Sequence, residues 1–364
     1  MEHQQTPAER VRAAATRADP EALAWALLTP EGQEGAKTTT RTGRTPLMFA
    51  ASQSSVECVK LLLPWSDAKA KDGAGWDALM FAAQNGKPAC VELLLPHSDP
   101  LAASTSDGWT ALMLASKSDA IGVMELLMPV SDLERADDTG LTPLLSAAFI
   151  GHIPTMKTLI QGGANPDNGA KLAGRHQMMP PEATPLMAAI REENTDVVEF
   201  LLTVSDASTV DEDGWTALHW AAHRGWRKGV EMLLPLSDPD ARCIKNGRTA
   251  LMEAACGDKG RLIAPMLMEV SDRAIVDDRG RSPFELAIEH GRWPTAEILS
   301  VFSSPRALRA GLDKPAAQAN LDKLPRSLAQ MEAGEIQAEV DKASAGASDA
   351  KNGAVSVRRP PKSL

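Results

Sequence analysis

The sequence predicts an all-α protein built from repeated pairs of helices, and three observations favour this class. Aromatic residues are scarce, with eight Trp, six Phe and no Tyr, whereas β-sandwich strands favour aromatic and β-branched side chains. The rest of the chain is rich in Ala, Leu and Met, which favour helices. A short motif also recurs through most of the 364 residues. Its nearly constant spacing of about 33 residues is typical of a solenoid.

The recurring motif is Thr, Asp or Ser, then Pro or Ala, then Leu or Phe. Its apolar members are spaced by 32, 33, 32, 42, 32, 33 and 33 residues, and they are Leu47, Leu79, Leu112, Leu144, Leu186, Leu218, Leu251 and Phe284. The first side chain of the motif can accept a hydrogen bond from the free amides of a helix start, and Pro or Ala fits the first helical position. Each copy is therefore predicted to begin a short first helix.

The residues after the motif predict how each first helix ends and where a second helix begins. Pairs of small residues such as Ala50 and Ala51 allow neighbouring helices to approach closely. Seven residues after the apolar anchor, four copies have a glycine that can end the helix in a left-handed turn. The residues at this place are Gly86, Gly151, Gly225 and Gly291, with Ser54, Asp119, Glu193 and Asp258 in the other four copies. A second helix with apolar spacing is predicted after this turn, as in Val56, Val59 and Leu62.

Eight copies in register, such as Thr142-Pro143-Leu144, resemble the ankyrin repeat, whose motif is Thr-Pro-Leu-His-x-Ala. The resemblance implies an ankyrin-type α-solenoid of helix-turn-helix repeats with short β-turn fingers. It also implies that a protein partner binds through the concave face and the finger tips. The chain departs from the family in two ways. Met mostly replaces the family's His, which only His219 retains, and six copies have a shortened ending, x-x-Ser-Asp. In that ending the Ser and Asp side chains are expected to satisfy local amides as a turn.

The repeats are expected to cover residues 39–302, with an enlarged finger at 165–182 where the spacing rises to 42. Residues 1–38 are predicted to form capping helices, because Thr6-Pro7-Ala8-Glu9 has the spacing of a capping box and Asp19-Pro20 can begin a second helix. Pro265 predicts that the second helix of its repeat starts late or kinks. Residues 303–364 contain no aromatic residue and are predicted to be a flexible, mostly disordered tail.

Charge and composition exclude several classes of partner. The net charge is −10, and residues 303–364 hold ten Lys or Arg and seven Asp or Glu, so the repeats are more acidic than the whole chain. An acidic body repels polyphosphate, so we expect no nucleic-acid partner. No apolar run approaches the roughly 18 residues of a membrane helix, so we expect no membrane span. Four scattered cysteines and an acidic N-terminus favour a cytoplasmic protein, which we expect to be a monomer.

His219 and His223 are the best metal candidate, because a spacing of four residues places two imidazoles on one helix face. No Glu stands between them and no third ligand is visible, so a packing His and a surface His are the preferred interpretation. No phosphate-binding or nucleophile motif occurs, which predicts no cofactor and no enzymatic activity. Two alternatives stay open. The chain could be a metal-dependent or other enzyme that uses the insert 165–182 with His219 and His223, or a scaffold that presents a functional tail.

The residue after each finger glycine varies between copies, and three of these residues are tryptophans, which is unexpected on a solvated surface. Trp and Arg are the usual anchors of protein interfaces. Together with the last residues of the first helices, the predicted protein-binding residues are Trp76, Trp109, Leu141, Phe149, Ile150, Trp215, Arg224 and Arg248. The alternative for the tryptophans is that each ring folds over its neighbouring finger and only stiffens it.

Overall fold

The computed structural model describes residues 5–169 and 183–300. The chain divides into two compact units, the N-terminal unit (Met1–Glu212) and the C-terminal unit (Asp213–Leu364). Regular structure in the described residues consists of α-helices and short 3-10 turns, with an isolated β-bridge between Ala103 and Thr110. The predicted all-α class is therefore confirmed. The predicted tail and most of the predicted finger at 165–182 lie outside the described residues.

The N-terminal unit begins with three short helices, which are α1 (Pro7–Arg17), α2 (Pro20–Ala26) and α3 (Pro30–Gly35). Each starts with proline and is capped by the side chain of the preceding residue, which accepts a hydrogen bond from the third residue of the helix. At Thr6 the reciprocal bond from Glu9 completes a capping box. The first two helices agree with the prediction from the sequence, and the third was not predicted, although Thr29-Pro30 carries the same signal.

Five helix pairs follow in the N-terminal unit. Their first helices are α4 (Pro46–Ser52), α6 (Ala78–Gln84), α8 (Ala111–Lys117), α10 (Pro143–Ile150) and α12 (Pro185–Arg191). Their second helices are α5 (Val56–Leu62), α7 (Pro88–Leu94), α9 (Ile121–Leu127), α11 (Ile153–Gln161) and α13 (Thr195–Leu201). The first helices start where the recurring motif predicts, and successive first helices pack directly on one another. The small residues allow this close approach, since Ala50 and Ala51 are completely buried.

The C-terminal unit contains three further pairs. They are α14 (Ala217–Arg224) with α15 (Arg227–Leu233), α16 (Ala250–Cys256) with α17 (Ala264–Val270), and α18 (Pro283–Glu289) with α19 (Trp293–Ser300). Pro265 is the second residue of α17, where a missing amide costs no helical hydrogen bond. The helix therefore starts late, after a 3-10 turn at Gly260–Leu262, and has no kink at this proline.

Methionine takes over part of the role of the replaced histidine. The Thr45 amide donates a hydrogen bond to Met48 Sδ at 3.4 Å, and the Thr110 amide donates one to Met113 Sδ at the same distance. In the copy that keeps His219, the Thr216 amide donates to His219 Nδ1 at 3.2 Å. The thioether thus accepts a hydrogen bond from the amide of the N-cap residue that precedes its helix, as the imidazole does.

In seven of the eight described pairs the turn between the two helices is left-handed, with or without glycine, whereas the copy that has Asp258 at this place connects its helices through the 3-10 turn at Gly260–Leu262. Gly86 and Gly151 have φ values of 65° and 88°, as the sequence predicts. Ser54, Asp119 and Glu193 occupy the same place with φ values of 58°, 53° and 54°. A side chain with a Cβ is strained in this region, so these three turns cost stability that a glycine would not.

We therefore expect Ser54→Gly to raise the free energy of unfolding by about 1 kcal/mol, measured by urea denaturation. The neighbouring Gln53→Gly is the control, because Gln53 has an ordinary helical φ of −87°. Glycine there gains no relief of strain and should lower stability by roughly 0.5–1 kcal/mol. Equal effects of the two substitutions would contradict the strain at Ser54.

The shortened Ser-Asp ending uses its two side chains differently. In every copy the Asp carboxylate accepts a hydrogen bond from the amide two residues later, and these residues are Asp67, Asp99, Asp132, Asp206, Asp238 and Asp272. The preceding serine hydroxyl is buried without a hydrogen-bond partner in five copies, which are Ser98, Ser131, Ser205, Ser237 and Ser271. The predicted turn role is therefore right for the aspartate and wrong for these five serines.

This difference predicts opposite outcomes for two adjacent substitutions. Asp132→Ala should lower the free energy of unfolding by about 1 kcal/mol, because the Glu134 amide loses its acceptor at 3.0 Å. Ser131→Ala should leave stability unchanged or raise it, because it removes a buried hydroxyl that has no partner. Thermal unfolding of both variants tests this, and a larger loss from Ser131→Ala would refute the assignment.

Candidate protein-binding surface

The fingers of the first four repeats are tight turns, each closed by its own backbone. In the second repeat the Asp72 amide donates to the Trp76 carbonyl at 2.8 Å, and the Gly75 amide donates to the Asp72 carbonyl at 2.9 Å. Gly75 has φ +81°, and a Cβ there would stand 2.5 Å from the Thr105 amide nitrogen of the next finger. The Asp72 carboxylate accepts from the Ala74 and Trp76 amides, so it shapes the finger from within.

Backbone hydrogen bonds also join these four fingers, each to the next. They run from the Gly73 amide to the Thr42 carbonyl at 2.7 Å, from Thr105 to Ala74 at 3.0 Å and from Asp138 to Asp107 at 3.0 Å. This ladder fixes the spacing of consecutive fingers. It therefore sets side by side the residues that follow the finger glycines, which are Arg44, Trp76, Trp109 and Leu141.

Three aromatic rings from two consecutive repeats meet on this surface, and we call Trp76, Phe81 and Trp109 the aromatic strip. The ring centroids of Trp76 and Phe81 are 5.1 Å apart, and those of Trp76 and Trp109 are 6.4 Å apart. Both tryptophans are half-buried, while Phe81 is buried. The two tryptophans are among the residues predicted from the sequence, whereas Phe81, which lies two residues after the apolar anchor Leu79 in α6, was not predicted.

Polar groups hold the strip in place. Trp109 Nε1 donates a hydrogen bond to Asp137 Oδ2 of the next finger at 3.1 Å. Lys117 Nζ lies 4.2 Å from the Trp109 ring centroid, and Arg44 Cζ lies 4.6 Å from the Phe81 ring centroid. Trp109 therefore stiffens two fingers and also leaves part of its ring at the surface, so the two interpretations of the tryptophans are compatible.

The other candidates of the N-terminal unit belong to the fourth repeat. Leu141 is half-buried, and its amide donates to the Asp137 carboxylate at 3.0 Å. Phe149 is half-buried beneath Arg191, whose Cζ lies 5.9 Å from the ring centroid. Ile150 ends α10 and is 46% exposed. We call the surface formed by the aromatic strip, Leu141, Phe149 and Ile150 the finger face.

The three candidates of the C-terminal unit differ in their surroundings. Trp215 packs against Trp220 and His223, with centroid distances of 5.1 and 5.2 Å, and Arg224 is exposed. Arg248, in contrast, has only 14% of its side chain exposed and pairs with buried Glu253 at 3.4 Å. Its Nε also lies 3.8 Å from Asp277 Oδ2. Because it is engaged inside the protein, Arg248 is poorly placed to anchor a partner.

The two histidines of the metal alternative have different environments. His219 is 1% exposed, with Nδ1 2.8 Å from the Thr216 hydroxyl and Nε2 3.1 Å from the Arg248 carbonyl. Both ring nitrogens are thus committed to protein groups. His223 is half-exposed, as expected of a surface residue, but its Nδ1 lies 3.4 Å from Glu253 Oε2. Across the described residues, 5–169 and 183–300, no group of three or more His, Cys, Asp or Glu side chains could hold a metal ion.

Two further observations concern the reactivity of a buried cysteine and the lengths of the helices. Burial raises the pKa of the Cys256 thiol to about 12, so this cysteine is a poor nucleophile at neutral pH. In the part of the chain that the structure describes, none of the helices has both the length and the apolar composition needed to cross a bilayer.

Comparison with known proteins links this architecture to a family. A family model described as Ankyrin repeats matches three times, over residues 11–104, 98–170 and 171–243. Protein glp-1 of Caenorhabditis elegans is 27% identical over 194 residues, which cover 49% of this chain and 14% of that protein. The chain therefore spans a small part of the length of this curated relative.

Burial of His219 generates a prediction about pH. Desolvation lowers the pKa of its imidazole below the ordinary value of 6.5, so the unfolded chain takes up a proton before the folded protein does as the pH falls. The stability that neutral His219 contributes is complete above about pH 6.5 and is lost as the pH falls toward the folded pKa. The free energy of unfolding should fall by up to about 1.4 kcal/mol per pH unit in this range.

Urea denaturation between pH 7.5 and 5 should show this slope in the wild type, and His219→Gln should remove it. His97→Gln is the control, because His97 is exposed in the N-terminal unit and should leave the slope unchanged. Parallel pH profiles for the wild type and His219→Gln would mean that another group causes the dependence.

Proposed function

Because this chain belongs to the ankyrin repeat family, we propose that it is a non-catalytic module whose finger face binds a protein partner. Ankyrin repeats are generally protein–protein interaction modules. The observation that carries the proposal is the aromatic strip, in which Trp76 and Trp109 are in contact and partly exposed. Large aromatic side chains supply most of the binding energy at protein interfaces when a partner buries the rest of their surface.

The fourth repeat extends this apolar surface. Leu141 and Phe149 are half-buried, and Ile150 is 46% exposed at the end of its helix. Soluble proteins seldom leave extended apolar patches bare, so these residues support binding at the same face. Trp215 and Arg224 are candidates for a separate contact on the C-terminal unit.

The alternatives have less support. An enzyme that uses His219 and His223 would have to break two hydrogen bonds of the buried His219 ring, and most of its insert at 165–182 lies outside the described residues. A scaffold for the tail depends on residues 303–364, which also lie outside them. The finger face is the surface that described contacts support directly.

Crosslinking tests the proposal at two residues of matched exposure. A photo-crosslinking amino acid replaces Ile150, which is 46% exposed on the finger face, or Val130, which is 43% exposed after α9. In extracts of the native host we expect the probe at Ile150 to capture a protein that the probe at Val130 does not. The captured protein should then bind Ile150→Ala about tenfold more weakly than Val130→Ala, which corresponds to about 1.4 kcal/mol.

Because neither side chain is buried, both alanine variants should unfold at the same temperature as the wild type. Capture from Val130 alone, or equal affinity of the two alanine variants, would show that the partner binds elsewhere.

A further inference from the structure

We propose that the finger face binds its partner through a short acidic segment that also carries an aromatic or large aliphatic side chain. The inference rests on the proposed function and adds the chemistry of the partner. It comes from a groove at the N-terminal cap, from its continuity with the aromatic strip and from the charges along both.

The groove lies between α1 and the first repeat and has a volume of about 790 Å³. Its lining residues include Arg12, Thr16 and Arg17 of α1 and Thr40 and Phe49 of the first repeat. We call it the cap groove. It was not predicted from the sequence, because its two walls are almost thirty residues apart in the chain.

The cap groove continues into the aromatic strip. α1 packs on α4, α4 packs on α6, and α6 packs on α8. Phe49 follows its apolar anchor by two residues, as Phe81 does in the next repeat, so the two rings hold equivalent positions on neighbouring helices. Three helix-to-helix steps of about 10 Å make a path of roughly 30 Å, which about nine extended residues would cover.

Cations line this path in a chain whose net charge is −10. They are Arg12 and Arg17 in the cap groove, Arg44 over Phe81, and Lys117 over Trp109. Of these four cations, Arg44 forms a salt bridge with a described residue, and its partner is Asp72. No carboxylate in the same part of the chain pairs with Arg12, Arg17 or Lys117.

Three carboxylates near the path already accept hydrogen bonds or pair with a cation. Glu9 accepts the Thr6 amide at 2.8 Å in the capping box. Asp72 pairs with Arg44 at 3.3 Å and is mostly buried, and Asp137 accepts Trp109 Nε1. The path therefore offers unpaired positive charge beside half-exposed rings, which complements carboxylates placed between apolar side chains.

A single-stranded nucleic acid also combines negative charge with flat rings, but the rest of the protein disfavours it. Exposed Asp107 stands at the tip of the finger that carries Trp109, and exposed Asp138 stands at the tip of the next finger. A phosphate at every nucleotide would meet these charges, whereas a peptide can place its few carboxylates only where cations lie.

The test uses the full chain and three fluorescein-labelled peptides of twelve residues. One peptide alternates Glu or Asp with Trp or Leu, the second has Lys at every acidic position, and the third has Ser or Gln there. Fluorescence anisotropy should show the acidic peptide binding at least about tenfold more tightly than either other peptide, with affinity that falls as salt rises.

Charge-reversal variants locate the site. Lys117→Glu and Arg12→Glu should each weaken the acidic peptide about tenfold. Lys87→Glu is the matched control, because it changes the net charge equally at an exposed residue before α7 and should leave affinity unchanged. Circular dichroism checks folding, and if Arg12→Glu unfolds, exposed Lys117 at the end of α8 carries the test alone.

Several results would overturn the inference. They are equal affinity for the three peptides, an equal loss in Lys87→Glu, or tighter binding of a twelve-residue oligo-dT. Self-association that Lys117→Glu abolishes would instead assign the groove to a second copy. If Ile150 crosslinks a protein but the acidic peptide does not bind, the proposed function survives and this inference fails. If the peptide binds but no protein crosslinks at Ile150, the proposed function fails.

Discussion

Backbone hydrogen bonds between successive fingers are the constraint on which the surface of the N-terminal unit depends. Each bond joins main-chain atoms of two fingers, as from the Gly73 amide to the Thr42 carbonyl. The bond therefore does not require particular side chains, except at the tight turn itself. There Gly75 is required, because a Cβ would meet the next finger. The residue after the glycine is free to vary while its position stays fixed. The ladder thus places the side chains at this variable position in an ordered row. They can therefore contact a partner without lowering the stability of the fold.

The residue at that position has different roles in different repeats. In the N-terminal unit the position holds Trp76 and Trp109, which touch each other and remain partly open to solvent. In the C-terminal unit it holds Trp215, which packs against Trp220, and then Arg248 and Arg281, whose guanidinium groups turn toward buried Asp277. Burial raises the pKa of this carboxyl, but hydrogen bonds from Arg281 and from nearby amides lower it more, so the group stays ionised. A buried ion pair is weak evidence that the fold gains stability from the pair. Removal of one partner, however, leaves an uncompensated buried charge and strongly lowers the stability of the protein. We therefore regard the Arg248 and Arg281 positions as internal structure.

The sequence was sufficient wherever structure depends on neighbouring residues. Thr or Ser before Pro or Ala marked the first helices, and the glycines seven residues after the anchor marked their ends. Contacts between repeats could not be predicted in this way. Phe81 and Lys117 carry no local signal, because their role depends on rings brought near by stacking. Burial of Arg248 depends on Asp277 in the next repeat, and the cap groove needs α1 to fold back on α4. The unpaired serine hydroxyls were missed for the same reason, since their solvation depends on the repeat beside them.

The replacement of histidine by methionine changes how neighbouring repeats are coupled. His219 uses one nitrogen for its own helix start and the other for the Arg248 carbonyl of the next repeat. Met48 and Met113 serve their own helix start, and a thioether has no N–H with which to bond the next repeat. Coupling between first helices of the N-terminal unit then comes from packing of small residues such as Ala50 and Ala51 and from the finger ladder. Both link nearest neighbours only, so a perturbation at one finger should reach the adjacent repeat and decay beyond it. Aromatic contacts add a further link between neighbouring repeats, since Trp76 touches Trp109 and Arg44 of the first repeat lies over Phe81 of the second.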